Sequence, residues 1–202
     1  MRRAPLPRRR GHRAGLPLAV TVGRLEETPP RPPVVVRARA GVSPPGGAGH
    51  LRPRGQYAGR HRGRPGRPVL ALINQARSAA GLRPLTITAG LNSSASRHNA
   101  TMDGGCGLSH QCPGEPELGA RETAAGVHWT AAGENIGEGG PVADSSAAIA
   151  RMAVGLTQSM LNEKPPDDGH RRNILSGSFT HIGIAVYRDG SGTVWLTQDF
   201  SN

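Results

Sequence analysis

The chain has 202 residues, enough for one domain with a sizeable core, and its 25 Lys or Arg against 14 Asp or Glu give a net charge of +11. The charge is unevenly placed, because residues 1–67 hold 16 Arg and two acids whereas residues 68–202 hold 9 basic and 12 acidic residues. The positive charge therefore belongs to the N-terminal third, and the composition of the remainder excludes a basic nucleic-acid-binding domain.

The first 66 residues mix Arg, Pro and Gly with few periodic apolar side chains. Such a segment cannot bury enough surface to offset its chain entropy, so we predict a disordered basic leader or linker over 1–66 and a folded domain over 67–202. The basic start, the short apolar run Ala14–Val22 and the small-residue triplet Ala38-Arg39-Ala40 indicate export without defining a clear signal peptide. A polycation for nucleic acid or anionic cell surfaces, and a misassigned start codon, remain alternatives.

Two amphipathic helices are predicted after Pro68. The first ends at Gly81, and the second follows Thr88 and ends at Gly104-Gly105. His98 lies on the apolar face of the second helix, where a packed, hydrogen-bonded core histidine is favoured over a metal ligand. The apolar positions are Val69, Leu72, Ile73, Ala76 and Ala80 in the first helix and Leu91, Ala95, His98 and Met102 in the second.

A third predicted helix delivers a carboxylate close to an imidazole. Asp144 and Ser145 are suitable N-caps, and helical spacing continues to Met160, so Glu163 falls at the C-terminal end. A carboxylate there opposes the helix dipole and needs a cationic partner, a metal or full hydration. Pro165-Pro166 stops the helix, and His170 follows after a short, stiff connection. We therefore expect this acid and this imidazole to lie close together.

A second acid and a second imidazole lie upstream. Glycines on both sides of Glu134 in Gly133-Glu134-Asn135-Ile136-Gly137 predict a backbone that turns sharply and approaches another group closely. Val127-His128-Trp129-Thr130, just before it, has the alternation of a short strand. His110 lies in a loop predicted from Cys106 to Gly119.

Cys106 and Cys112 bracket His110. Their C-x5-C spacing is not that of a zinc ribbon or of a redox C-x-x-C motif. A disulfide formed in an oxidising compartment is therefore favoured over two reduced thiols, and it would brace the loop that carries His110.

The end of the chain predicts a hairpin. Ile182–Tyr187 and Val194–Phe200 read as strands, joined by a turn at Asp189–Gly192. Both strands are apolar on two faces, which is typical of the middle layer of a sandwich with helices on either side. One helical turn is predicted over Arg171–Leu175.

These motifs, in this order, resemble the CAP superfamily of cysteine-rich secretory, antigen 5 and pathogenesis-related 1 proteins, most closely its bacterial SCP-like extracellular branch. The likeness covers residues 68–202. The motifs are Leu72-Ile73-Asn74-Gln75-Ala76-Arg77 with Gly81-Leu82-Arg83-Pro84-Leu85, the pair Ser109-His110, Gly133-Glu134-Asn135-Ile136, Gly169-His170-Arg171-Arg172-Asn173-Ile174-Leu175, and Thr197-Gln198-Asp199-Phe200.

The resemblance implies an α+β fold, a three-layer α-β-α sandwich with a small, mainly antiparallel central sheet. It also implies a cleft lined by two His and two acids, which in some members holds a divalent metal. Carried over by motif, these residues are His110, Glu134, Glu163 and His170. At Glu163 the likeness is looser, because Met160 stands where the family has an aromatic residue and the connection to His170 is shorter than in eukaryotic relatives.

The four side chains would suit zinc or another divalent metal. The favoured function is a secreted or cell-surface, non-enzymatic module whose cleft binds a metal and a small lipid, sterol, peptide or cell-wall ligand. A metal-assisted hydrolase or peptidase with Glu134 or Glu163 as general base is the alternative, although the H-E-x-x-H signature is absent. In a third interpretation the protein is a structural or interaction domain, and the four residues only hold the walls of the cleft together by hydrogen bonds.

No specific nucleic acid is expected as a partner. No apolar run reaches the roughly 18 residues of a membrane span.

Overall fold

The structure is a computed structural model that describes residues 19–22, 26–27 and 65–202. No helix in these segments is long and apolar enough to cross a membrane. The elements in chain order are strands β1 (Ala19–Val22) and β2 (Glu26–Glu27), helix α1 (Gly66–Ala79), strand β3 (Thr86–Ile87), helix α2 (Ala89–Thr101), a π-helical turn (Met102–Cys106), helix α3 (Leu118–Ala124), strand β4 (Ala131–Gly139), helices α4 (Ser146–Leu161) and α5 (Gly169–Ile174), and strands β5 (His181–Arg188) and β6 (Val194–Ser201).

Three antiparallel strands form the centre of the sheet. β6 lies between β4 and β5, so that Asp199 is opposite Glu134 on one side and Gly183 on the other. β3 pairs in parallel with β5, while β1 and β2 pair antiparallel with β4. The resulting order, β1-β4-β6-β5-β3, is mainly antiparallel, as the family resemblance implies.

Helices cover both faces of this sheet. On β6, the Thr197 hydroxyl donates to the Asn99 side chain of α2 at 2.7 Å, whereas the next residue, Gln198, donates to the Thr157 hydroxyl of α4 at 3.0 Å. Successive side chains of a strand point to opposite faces, so α2 and α4 lie on opposite sides of the sheet. α1 and α5 pack against α4. The predicted three-layer α-β-α sandwich is confirmed.

The larger apolar core lies between the sheet and the layer of α1 and α4. Within it, the rings of Phe179 and Phe200 stack with their centroids 5.4 Å apart. A smaller cluster on the α2 side of the sheet joins Met102, Cys112, Ile136 and Trp195. The buried residues of the larger core are Val69, Ile73, Leu85, Ala153, Leu156, Met160, Ile174, Phe179, Ile182, Ile184, Leu196 and Phe200.

Local sequence signals placed most helix ends correctly. The Thr88 hydroxyl caps α2 by accepting from the amide of Leu91 at 3.4 Å, and the Ser145 hydroxyl caps α4 by accepting from the amide of Ala148 at 3.3 Å. Both caps lie at the residue where the sequence predicted a helix to begin. The closing hairpin and the short helix after residue 168 are also confirmed.

The predicted strand over Val127–Thr130 is wrong. Strand pairing begins at Ala131, and the preceding residues turn toward α3 instead. The reason is Trp129, whose indole N–H donates to the carbonyl of Gly119 at 3.1 Å. The ring lies so close to Gly119 that a Cβ there would come within 2.2 Å of Trp129 Cζ2. Side-chain docking on a helix therefore overrides the local alternation.

The predicted sharp turn around Glu134 is also wrong, because β4 runs straight through the glycine-flanked segment. The predicted close approach is confirmed at Gly133. A Cβ at this position would lie 2.8 Å from Cζ of Phe179, so the absent side chain leaves room for the aromatic ring. Gly133 therefore serves packing against the strand rather than a change of chain direction.

The loop predicted from Cys106 to Gly119 is shorter than expected at both ends. The π-helical turn carries the chain past Gly104 to Cys106, with Gly105 at a φ of +120°. At the other end, α3 already begins at Leu118. The sequence contained no apolar periodicity long enough to predict this seven-residue helix.

The prediction of disorder over residues 1–66 concerns mostly residues outside those that the structure describes, and Ala38-Arg39-Ala40 is among these. Within that range, however, the structure pairs the backbones of β1 and β2 with β4, placing Val22 opposite Asn135 and Glu26 opposite Ala132. A strand edge offers backbone partners to a segment of almost any side-chain pattern, so no local signal in the sequence predicts this pairing. α1 begins at Gly66, next to the predicted boundary at residue 67.

Candidate functional site

Two of the four predicted site residues, His110 and Glu134, form a first pair. Nδ1 of His110 lies 2.8 Å from Oε1 of Glu134. The Glu134 side chain is 1% exposed and that of His110 is 20% exposed, so the imidazole lies between the carboxylate and the surface. β4 supplies the acid and the loop before α3 supplies the histidine.

A disulfide holds the loop of His110. Cys106 and Cys112 are bonded, with their Cα atoms 5.7 Å apart, which confirms the predicted disulfide. Cys112 is buried and packs with Met102 and Trp195 beneath the loop. The seven residues from one cysteine to the other are thereby fixed to the α2 side of the sheet.

Arg121 of α3 completes the surroundings of Glu134. Its Nη2 lies 2.9 Å from Oε2 of Glu134 and also donates to the backbone carbonyl of His110 at 3.3 Å. Burial raises the pKa of Glu134, but the hydrogen bond from His110 and the charges of His98, Arg121 and His110 outweigh it and hold the pKa below its usual value. The carboxylate is therefore ionised at neutral pH, and Arg121 is its buried counter-ion.

His98 is a fully buried, hydrogen-bonded histidine, as the helical pattern predicted. Its Nδ1 lies 2.9 and 3.0 Å from the two carboxylate oxygens of Glu115. Its Nε2 lies 3.7 Å from Oε1 of Glu134, at the back of the first pair. The sequence identified the environment of His98 correctly but not its closeness to the site.

Asp199 is a further acid of this buried cluster, together with Glu122 of α3. It is fully buried on β6, directly across the ladder from Glu134. Burial first, and then repulsion from Glu134, raise the pKa of Asp199 well above its usual value, although Arg121 opposes this. The pKa values of Asp199 and Glu134 are thus shifted in opposite directions by their shared surroundings.

The other two predicted residues, Glu163 and His170, form a second pair. Oε1 of Glu163 is hydrogen-bonded to Nδ1 of His170. Oε2 of Glu163 accepts from the backbone amides of His170 at 3.0 Å and Arg171 at 3.3 Å. The partner that an anion at the end of α4 was predicted to need is therefore the start of α5 together with an imidazole. His170 is buried, and the Glu163 side chain is 18% exposed.

The two pairs come from neighbouring elements, since β4 carries Glu134 and α5 carries His170. The Glu134 side chain points to α2 and α3, whereas the next side chain on the strand, Asn135, donates to the backbone carbonyl of His170 in α5 at 3.3 Å. Within residues 65–202 and the two short N-terminal strands, no three His, Cys, Asp or Glu side chains form a group that could hold a metal ion. The metal site at His110, Glu134, Glu163 and His170 stays a prediction.

Each pair nevertheless resembles the outer half of a metal or ligand site. A carboxylate on one imidazole nitrogen fixes the ring and leaves the other nitrogen for a further partner. Nε2 of His110 is such an atom: it is buried, and among the described residues it has no hydrogen-bond partner.

Sequence reasoning missed several charged members of the site, among them Arg121, Glu115, Glu122 and Asp199. Arg121 and Glu115 lie in segments without apolar periodicity, and their closeness to Glu134 depends on the path of the loop after Cys112. Asp199 belongs to the closing motif Thr197-Gln198-Asp199-Phe200, but its position opposite Glu134 depends on the strand register. An unpaired acid in the middle of an apolar strand was the one available signal.

The α-β-α sandwich is the fold that the resemblance to the CAP superfamily implied. The profile of the Cysteine-rich secretory protein family (CAP) matches residues 70–200, and the chain belongs to this family.

Individual relatives agree with this assignment. The chain is 31% identical to the uncharacterized protein YkwD of Bacillus subtilis over 130 residues, which is 64% of this chain and 44% of YkwD. A solved extracellular protein containing a SCP domain from Bacillus anthracis is 30% identical, with a TM-score of 0.51, over 66% of this chain and 39% of that protein. The chain thus spans less than half the length of either relative.

A third comparison concerns the fold alone. A solved outer surface protein from Borrelia burgdorferi is 15% identical and has a TM-score of 0.53, over 66% of this chain and 89% of that protein. At this identity the likeness supports the sandwich and carries no information on ligands. It shows that the domain described here corresponds to most of that solved chain.

Proposed function

We propose that the protein is a secreted or cell-surface CAP-domain module that binds a small ligand, a lipid, sterol, peptide or cell-wall fragment, without chemical conversion. Membership of the family, and relatives named as extracellular or outer-surface proteins, support the location. The disulfide between Cys106 and Cys112 supports an oxidising compartment.

The observation that carries the binding proposal is the unsatisfied Nε2 of His110. Leaving a buried polar atom without a partner costs about 1–3 kcal/mol. The fold nevertheless fixes this ring from its other side with Glu134, in a loop closed by a disulfide. A buried polar atom of this kind takes its partner from ordered water or from a ligand, and the position of His110 next to the surface favours a ligand. The ligand therefore carries a polar group that meets His110, next to the surface.

A hydrolase remains the alternative, and the state of Glu134 disfavours this residue, but not Glu163, as its general base. Contact with His110 and Arg121 holds the pKa of Glu134 low, and a carboxylate with a low pKa is a weak general base at neutral pH. Zinc or another divalent metal stays a prediction. Its test is the metal content of the purified protein after dialysis, compared with that of the His110→Ala variant.

Binding is tested with a panel of a fluorescent fatty acid, a fluorescent sterol, extended peptides and soluble peptidoglycan fragments. The variants are Glu134→Gln and His170→Ala, and Glu138→Gln is the control, because Glu138 lies on the same strand but has no part in either pair. We expect one panel member to bind the wild type and Glu138→Gln alike, and at least tenfold more weakly to Glu134→Gln. Equal binding to all variants, or no binding at all, would overturn the proposal.

The same proteins separate the alternatives. Peptide hydrolysis that stops on addition of a chelator and in Glu134→Gln would establish the hydrolase instead. Recovery of the full chain from the cytoplasmic fraction of a producing bacterium, with Cys106 and Cys112 reduced, would contradict the proposed location.

A further inference from the structure

Two buried asparagines lie between the first and second pairs. Asn135 is 0% exposed and Asn173 is 2% exposed, and neither was assigned a role by the sequence motifs that contain them. Asn135 follows Glu134 on β4, and Asn173 lies on α5, three residues after His170. Each asparagine therefore belongs to the same element as one member of a pair.

Each asparagine side chain donates a hydrogen bond to the element that carries the other asparagine. The Asn173 amide donates to the backbone carbonyl of Glu134 at 3.2 Å. The Asn135 amide donates to the backbone carbonyl of His170 at 3.3 Å. Between them, Asn173 Nδ2 donates to Asn135 Oδ1 at 2.8 Å. Each asparagine thus holds the main chain of a site residue in the opposite pair.

A line of hydrogen bonds anchors the two asparagines in the sandwich. Asn135 Nδ2 also donates to Oε1 of Gln198 on β6 at 3.1 Å, and Gln198 donates in turn to the Thr157 hydroxyl of α4 at 3.0 Å. The Thr157 hydroxyl donates to the carbonyl of Ala153 at 2.9 Å. Donors and acceptors run in one direction from α5 to α4, so one orientation of every amide satisfies the line.

We propose that Asn135 and Asn173, the asparagine bridge, are positioning residues that set the placement of the His110–Glu134 pair relative to the Glu163–His170 pair. The inference rests on the proposed function in one respect, that both pairs serve one binding site. Two pairs on different elements would otherwise be joined through apolar packing, which does not fix orientation as hydrogen bonds do. The bridge acts on the main chain of Glu134 and His170 rather than on a ligand.

A purely structural role is the competing interpretation, and Asn99 of α2 provides a matched control. Asn99 is 1% exposed and donates to two backbone carbonyls, those of Ala185 at 3.1 Å and Trp195 at 3.3 Å. It also accepts one hydrogen bond, from Thr197. Its chemistry matches that of the bridge, but its carbonyl partners belong to neither pair.

The test compares Asn173→Asp with Asn99→Asp in the full chain, with Asn173→Ser and Asn99→Ser as milder variants in case the first do not fold. A carboxylate at either position loses the amide donor and faces carbonyl oxygens. We expect all four variants to lower the melting temperature. The imidazole NMR signals of both His110 and His170 should shift in the Asn173 variants and stay unchanged in the Asn99 variants.

The bridge is refuted if the Asn173 variants leave both imidazole signals unchanged, or if the Asn99 variants move them equally. This readout needs no ligand, so it stands even if the binding panel shows no ligand and the proposed function fails. If a panel member does bind, Asn173→Ser should weaken it at least fivefold more than Asn99→Ser. Equal weakening would count against the bridge.

Discussion

Glu134 is the residue on which the first pair depends. Its carboxylate is 1% exposed and is shared between the His110 imidazole and the Arg121 guanidinium. Taking a carboxylate out of water is costly, and these two contacts offset that cost. The ion pair with Arg121 therefore serves the orientation of Glu134 and His110 more than overall stability.

Replacing Arg121 with Gln should destabilise the protein strongly, because the buried Glu134 carboxylate loses its counter-ion. Breaking a buried ion pair from one side costs about 3–5 kcal/mol, measurable as a lower free energy of unfolding in urea. Arg172→Gln is the control, since the Arg172 side chain is 67% exposed and pairs with Asp168 at 3.2 Å. That change should cost below about 1 kcal/mol. Equal losses would show that Arg121 does not neutralise Glu134.

Asp199 determines part of the pH dependence of stability. Its folded pKa is raised above the unfolded value of about 3.9, so its stabilising contribution is complete below that pH and is lost as the pH rises toward the folded pKa. Asp199→Asn removes this loss. The variant should be more stable than the wild type at pH 7, and the difference should shrink as the pH falls below about 4.

Urea unfolding of both proteins from pH 3 to pH 8 measures this difference. Glu134 contributes in the opposite sense, because its lowered pKa gives stability that is lost as the pH falls. Asp199→Asn also removes the repulsion between the two carboxyl groups, so the difference between the two proteins reports the coupled pair. A constant difference between the two proteins at every pH would contradict a raised pKa at Asp199.

At the scale of elements, the loop between α2 and α3 is the segment that brings His110 to β4. The disulfide closes a loop of seven residues, counted from Cys106 to Cys112. Closing a loop of this length lowers the conformational entropy of the unfolded chain and thereby stabilises the folded state by about 2 kcal/mol. The Cys106→Ser, Cys112→Ser double variant should lose about that much, with faster amide exchange at His110 and Gln111. Wild type with a reductant should behave like the variant, and a reductant effect on the variant itself would exclude this explanation.

The elements also show where local patterns fail. Arg77 of α1 occupies the polar side of its predicted helix, yet it is 1% exposed and donates to the carbonyls of Ile174 and Ser176, both at 2.8 Å. Helical periodicity separates apolar from polar side chains but cannot show which polar side chain will find buried carbonyls in a distant segment. Arg121 and Glu115 were missed because their partners, too, lie in segments that only the tertiary structure brings close.

At the scale of the whole molecule, the sandwich depends on how closely α2 approaches the sheet. Gly183 of β5 lies against the α2 backbone, where a Cβ would come 2.1 Å from the carbonyl carbon of Leu91. Gly183→Ala should therefore cost about 3 kcal/mol or more, because backbone cannot move aside as a side chain can. Gly155→Ala is the control, since a Cβ at this α4 position meets nothing within 4 Å.

The control should stabilise the protein by about 0.5–1 kcal/mol, because alanine favours a helix over glycine. Thermal unfolding of both variants measures the two effects. A tolerated alanine at position 183 would mean that α2 lies farther from β5 than described here.

The sequence by itself determined the type and order of most elements, the three-layer class and the four motif residues. Periodicity, caps and turn residues are local signals, so α1, α2, α4, β5 and β6 could be located before the structure was known. Tertiary structure alone decided that Glu134 lies in a strand, that Arg121, His98 and Asp199 surround it, and that the four motif residues form two separate pairs. The physical reason is that strand register, loop path and buried ion pairing depend on contacts between residues far apart in the chain, and spacing along the chain does not encode such contacts.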